Sequence, residues 1–116
     1  MVALKKARWL AANCWRRRVE ACLVGRGLTF TQWLVLDATD YLIRETDDAV
    51  SQIQVANYLQ LNRMTVSDAM TALSNKGLVD RGGAMNGMAW RVFVTNRAEA
   101  LLRELEHGLK AAAAER

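Results

Sequence analysis

The chain has 116 residues and a formal net charge of +4, with 16 Lys and Arg against 12 Asp and Glu. That length suffices for one core and not for two, and 52% hydrophobic with 24% charged residues is globular rather than disordered composition. Proline is absent, and one histidine with two cysteines leaves too little for the usual catalytic or metal constellations, so an enzyme is the least expected class and no cofactor or metal is implied.

Residues 3–24 are predicted to form a helix. At about 100° per residue, Leu4, Ala7, Ala11, Cys14, Trp15, Val19 and Cys22 fall on one side, with Lys5, Lys6, Arg16, Arg17 and Glu20 mostly on the other. Arg18 projects from the apolar side and Trp9 from the polar side. On such a helix Cys14 and Cys22 are about 12 Å apart along the axis, beyond the roughly 7 Å a disulfide tolerates between Cα atoms. A reducing cytoplasm is therefore the expected compartment. No apolar run reaches the roughly 18–20 residues of a membrane span, so no membrane role is expected. The N-terminus lacks the apolar region of a secretory signal. It is basic and free of acids until Glu20, as a mitochondrial transit peptide would also be, but the same amphipathic pattern continues without a break.

Gly25 and Gly27 stop this helix. Up to Arg26 the segment carries Lys5, Lys6, Arg8, Arg16, Arg17, Arg18 and Arg26 against Glu20 alone, whereas residues 27–48 carry Arg44 against Asp37, Asp40, Glu45, Asp47 and Asp48. A basic segment fits either a polyanionic partner or a solvated helix face. Thr29 with Gln32 makes a capping box that opens a second helix over about 30–45. Its apolar residues, Phe30, Trp33, Leu34, Val35, Leu36, Tyr41, Leu42 and Ile43, surround most of the circumference, which places it at the centre of the core.

Ser51 with Gln54 repeats the capping box and begins a short third helix ending near Gln60. After a tight break, Asn62 caps a fourth helix that runs to Lys76, with Val66, Ala69, Met70 and Leu73 as its core face and Gly77 as its stop. Residues 78–81 and 89–94 read as strands joined through Asn86-Gly87, a strong hairpin signal. Thr95 caps a last helix to about 114, along which Ala98, Leu102, Leu105, Leu109 and Ala112 form a coiled-coil-like seam. The expected fold is mainly α with a small β-hairpin: a winged helix-turn-helix.

Particular motifs carry a family resemblance. Leu28-Thr29-Phe30-Thr31-Gln32 resembles the opening of the second helix in the MarR family of bacterial transcription regulators. Leu61-Asn62-Arg63-Met64-Thr65-Val66-Ser67, then Leu73-Ser74-Asn75-Lys76-Gly77-Leu78-Val79-Asp80-Arg81, is similar to that family's recognition helix and first wing strand, and Val94-Thr95 precedes the next helix as in the family. The likeness covers roughly residues 28–103. Two departures stand out: the wing's usual Asp-x-Arg falls on Asn86 and Met88, leaving Arg91 or Arg81 to substitute, and the chain is shorter at its C-terminal end than family members usually are. The resemblance implies a single domain over 1–116, with residues 3–24 and 96–114 as dimerisation helices around a DNA-binding core at 28–95 and a wing at about 78–94.

On the fourth helix the face opposite the core carries Met64, Ser67, Asp68, Thr71 and Asn75, with Asn62, Arg63 and Thr65 towards its N-terminal end. Recognition helices present such residues to the major groove. Arg63 suits guanine or phosphate, while Ser67, Thr71 and Asn75 suit base edges or backbone. Asp68 repels phosphate but can accept from cytosine. Counting Arg63 and Lys76 against Asp68 leaves this helix only weakly basic. Ser51 and Gln52, at the start of the third helix, suit a phosphate, and Arg81, Asn86 and Arg91 are the wing candidates.

The family's habit of sensing aromatic anions implies a pocket from Trp9, Trp15, Trp33 and Tyr41 with Arg18. It also makes Cys14, near Arg17 and Arg18, a redox candidate against the commoner buried, inert thiol. Arg18 is expected to pair with Asp37 or Asp40. The predicted function is a cytoplasmic, homodimeric, sequence-specific regulator of transcription, a repressor that reads a pseudo-palindromic site in double-stranded DNA. The alternative is a winged-helix protein-interaction or replication module with weak or no specific DNA binding.

Overall fold

Short-range hydrogen bonding sets most of the element boundaries. A computed structural model describes residues 2–82 and 91–114, with side chains over 6–82 and 91–111. Its elements are α1 (Val2–Leu23), α2 (Phe30–Thr46), β1 (Val50–Ser51), α3 (Gln52–Leu59), α4 (Arg63–Asn75), β2 (Val79–Arg81), β3 (Arg91–Val94) and α5 (Asn96–Ala114). Both capping boxes form. Gln32 N–H donates to Thr29 Oγ1 at 3.1 Å while Thr29 N–H donates to Gln32 Oε1 at 3.2 Å. The Ser51–Gln54 pair does the same at 3.1 and 2.8 Å. Asn62 Oδ1 accepts from Met64 N–H at 2.7 Å, and Thr95 Oγ1 from Ala98 N–H at 3.2 Å. Each cap satisfies a donor that the first helical turn leaves without a partner.

As its all-round apolar pattern predicts, α2 is the hub, packing against α1, α3, α4, α5, β1 and β3. Val35 and Leu36 are wholly buried there, beside Val55, Val66, Met70, Leu73 and Leu105. The α3–α4 connection is tight because Gln60 takes a left-handed backbone (φ 55°) and its N–H closes back onto Ala56 and Asn57 carbonyls. At the far end of α4, Gly77 (φ 73°) makes the reversal that a side chain would resist.

Three features differ from the sequence reading. The sheet has three antiparallel strands in the order β1-β3-β2, not two. Val50 and Ser51 pair with Val92 and Arg91, while Val79, Asp80 and Arg81 pair with Val94, Phe93 and Val92. Two residues are too few for a strand periodicity to register, and only pairing with β3 makes them one. The Asn86-Gly87 turn lies outside the described residues.

The second difference concerns α1. Val19 and Leu23 are buried and Cys22 half-buried, but Ala7, Ala11 and Cys14 are exposed, with Trp15 at 46%. Only the last turns of α1 are therefore buried in the chain's own core, while Ala7, Ala11 and Cys14 of its apolar face stand in solvent and Trp15 is only partly covered. Trp9, at 64% exposure, projects outward as expected.

The third difference is the seam of α5. Ala98, Leu102 and Leu105 are buried within this one chain, against α1 and α2, so the spacing that reads as a coiled coil serves the protomer's own core.

Candidate nucleic-acid interface

α3, the three-residue turn Gln60–Asn62 and α4 form a helix-turn-helix, with α4 lying between α2 and β2. Val66, Ala69, Met70 and Leu73 pin one face of α4 to the core. At about 100° per residue the opposite face then presents Met64, Asp68, Thr71 and Asn75, all exposed, with Arg63 exposed in the first turn. The two flanks differ. Thr65 and Asp68 line a groove of about 260 Å³ with Thr29, Thr31 and Gln32 at the start of α2. Ser67 and Thr71 face the wing strand, where Arg81 Nη2 donates to Ser67 O at 2.9 Å and to Thr71 Oγ1 at 2.7 Å.

Several candidates are already engaged within the fold. Asn62 Oδ1 and Ser51 Oγ accept within their caps and the Ser51 N–H donates to Gln54 Oε1, leaving the Asn62 side-chain NH2 and the Ser51 hydroxyl proton for an outside partner. Gln52 Oε1 is buried. Lys76, counted in the sequence reading among the cations of the reading helix, turns away from it: its ammonium donates to Gly27 O and to Gln32 Oε1. The described α4 thus carries Arg63 against Asp68 and no surplus positive charge. Arg91 is exposed on β3, and Asn86 lies outside the described residues.

Solved structures share this whole arrangement. A crystallised MarR family transcription regulator superposes on 97% of this chain and 71% of its own, with a TM-score of 0.77 at 24% identity. This is the MarR-family fold. A MarR family regulator from Rhodococcus sp. RHA1 matches 98% of this chain and 76% of its own, with a TM-score of 0.76 at 21% identity. Among curated proteins, the HTH-type transcriptional regulator YdcH of Bacillus subtilis is 33% identical over 73 residues, which are 63% of this chain and 49% of that protein. The match thus spans about half the length of that relative. No protein-family model matches the chain. The matched proteins are transcription regulators. Among the described residues no cluster of His, Cys, Asp and Glu is arranged to hold a metal ion, and no helix is long and apolar enough to cross a membrane.

Away from the reading helix, this MarR-type fold leaves a cavity of about 450 Å³ between α1, α2 and α5. Trp15, Trp33 and Tyr41 line it together; Trp9, exposed on α1, and Arg18, half-buried there, are not among its lining residues. Trp15 meets Phe30 edge-on and leans against Trp33, both at 5.8 Å between centroids, while the Arg16 guanidinium sits 4.6 Å above the Phe30 ring. The expected ion pair from Arg18 to Asp37 or Asp40 does not form. Asp40, 7% exposed, pairs instead with Arg44 one turn along α2 at 2.5 Å. Helical i,i+4 geometry brings Arg44 there without any tertiary requirement.

The cavity's charged lining is Asp37, Asp40, Glu45 and Glu106 against Arg44 and Arg103, an acidic surplus rather than the basic anchor an aromatic anion needs. Burial pushes the Asp37 carboxyl above its ordinary value, and the neighbouring Asp40 and Glu106 carboxylates push the same way, against a smaller opposing pull from Arg44. A carboxyl raised on folding binds its proton more tightly in the folded state, so its contribution to stability grows as pH falls through that raised range and is lost as it ionises. Asp37→Asn is therefore expected to raise the melting temperature at neutral pH, with the gain shrinking as pH is lowered through the carboxylate range. Melts of both proteins from neutral to mildly acid pH check this; a gain independent of pH would place its cause elsewhere than in the charge.

The thiol of Cys14 is exposed rather than buried, and Cys22 is half-buried; both are free.

Proposed function

We propose that this chain is a MarR-type, sequence-specific DNA-binding regulator that acts as a cytoplasmic homodimeric repressor. One observation carries the reading: α4 is fixed to the core along one face and presents Arg63, Met64, Asp68 and Asn75 outward from a helix-turn-helix flanked by the strands β2 and β3. The fold it shares with MarR family regulators and its similarity to an HTH-type regulator support it. In this reading residues 1–116 form one domain, 28–95 are the DNA-binding core, and 3–24 and 96–114 dimerise. The burial of the α5 seam moves the expected dimer contact to α1, where Trp9 and Leu10 are exposed. A two-fold dimer reads half-sites about one helical turn apart. In this reading Arg63 and Arg91 are the cations that meet DNA, Gln52 offers its backbone N–H and Ser51 its hydroxyl proton to a phosphate, and Asn62, Thr65, Ser67 and Asn86 complete the proposed contact set.

A small aromatic effector fits the α1–α2–α5 cavity, and its acidic lining favours a cationic one over an anion.

The test is a fluorescence titration of the duplex immediately upstream of this gene, beside a scrambled duplex, at two salt concentrations. The expected result is tight binding to the native duplex alone, weakening with salt. Repeating it with a planar aromatic cation and with an aromatic carboxylate checks the effector's charge; release by the carboxylate alone would reverse that assignment. Binding to neither duplex would favour the second reading, a winged helix turned to protein partners. That reading rests on Met64, 71% exposed at the centre of a reading face with no surplus positive charge.

A further inference from the structure

The pleat of β2 alternates. Val79 is buried, Asp80 exposed and Arg81 half-buried, so Arg81 points to the same side as Val79, towards α4. There its Nη2 donates to two acceptors one helical turn apart, Ser67 O at 2.9 Å and Thr71 Oγ1 at 2.7 Å. The Thr71 hydroxyl donates in turn to Ser67 O at 3.0 Å, which spends its only proton. A threonine back-bonded to its own helix while accepting from a guanidinium is a docking point and has no hydrogen left for a base edge. Arg81 Nε is buried without a partner, so that edge of the guanidinium is turned into the protein rather than towards solvent. A planar guanidinium has its donors in fixed directions, which an ammonium group does not reproduce.

We infer that Arg81 is a positioning residue, with Thr71 as its dock: together they fix the orientation of α4 against the wing strand, and neither is a DNA contact. The inference rests on the DNA-binding reading above. Arg81 is the last residue of β2, so it ties the reading helix directly to that strand.

Counterion release separates this role from a phosphate contact. An arginine that neutralises a phosphate adds close to one unit per protomer to the slope of log K against log salt, and a brace adds none. In titrations of the full chain with native and scrambled duplexes, Arg81→Gln is expected to lower the preference for the native duplex roughly tenfold with the salt slope unchanged. Arg81→Lys is expected not to restore the preference, although it keeps the charge. Thr71→Val should lose about as much, and the double variant no more than either alone. In DNA-free thermal melts the two substitutions should likewise be non-additive. A lower salt slope with equal weakening on both duplexes would overturn the proposal in favour of a phosphate contact, as would full rescue by lysine. Additive losses in the melts would overturn the brace alone, whereas wild-type protein that does not distinguish the duplexes would overturn the DNA reading and the brace's role in it together.

Discussion

Leu36→Ala is expected to lower the unfolding free energy by about 2–5 kcal/mol, the largest loss for any single substitution considered in this protein. Leu36 is wholly buried and lies on α2, the one helix that packs against every other helix and two strands. Removing its branched side chain forfeits the transfer of those atoms from water and leaves a cavity that the six elements packed on α2 cannot all collapse into at once. A domain of this size has only about 5–15 kcal/mol in total, so the variant should be near its limit at room temperature. Urea unfolding at one fixed protein concentration checks the value, because association would otherwise shift the midpoint. A loss below about 1 kcal/mol would mean that the α2 environment relaxes freely and is not the hub of the core.

The second large effect concerns DNA. Arg63→Ala should weaken binding to the native duplex by about 1–3 kcal/mol if the guanidinium pairs with a base, and should relax the preference at one position of each half-site. A phosphate contact would instead weaken both duplexes alike and lower the salt slope by about one per protomer. The side chain is suited to either role because it is exposed in the first turn of α4, beyond the Asn62 cap. With Lys76 turned back to Gly27 and Gln32, Arg63 is also the only cation within α4, so its removal leaves that helix with Asp68 alone. Unchanged affinity and unchanged preference would overturn the proposed contact set at its strongest member.

The reading helix shows how far sequence carries the assignment. Asn62 as cap, the buried row from Val66 to Leu73 and the outward row from Met64 to Asn75 are all legible, because each follows from helical periodicity and one local hydrogen bond. What its polar residues do is not legible. Thr71 reads as a base contact until Arg81, ten residues later and on another element, is found bonded to it. Lys76 reads as part of a basic helix until the carbonyl of Gly27 is found beside it. Both engagements depend on where strands and loops come to rest, and no spacing rule encodes them.

The five helices, the caps at Thr29, Ser51, Asn62 and Thr95 and the central place of α2 are legible in the order of the amino acids. The groups that decide those features lie within a turn or two of one another, so their chemistry acts before any tertiary contact forms. Tertiary structure alone decided that Val50 and Ser51 form a strand, since a two-residue strand exists only through its partner. It also decided that the α5 seam is buried within the protomer while the outer face of α1 is left bare. An apolar stripe specifies that it must be covered and not by what, and the covering surface is set by how all the elements pack together.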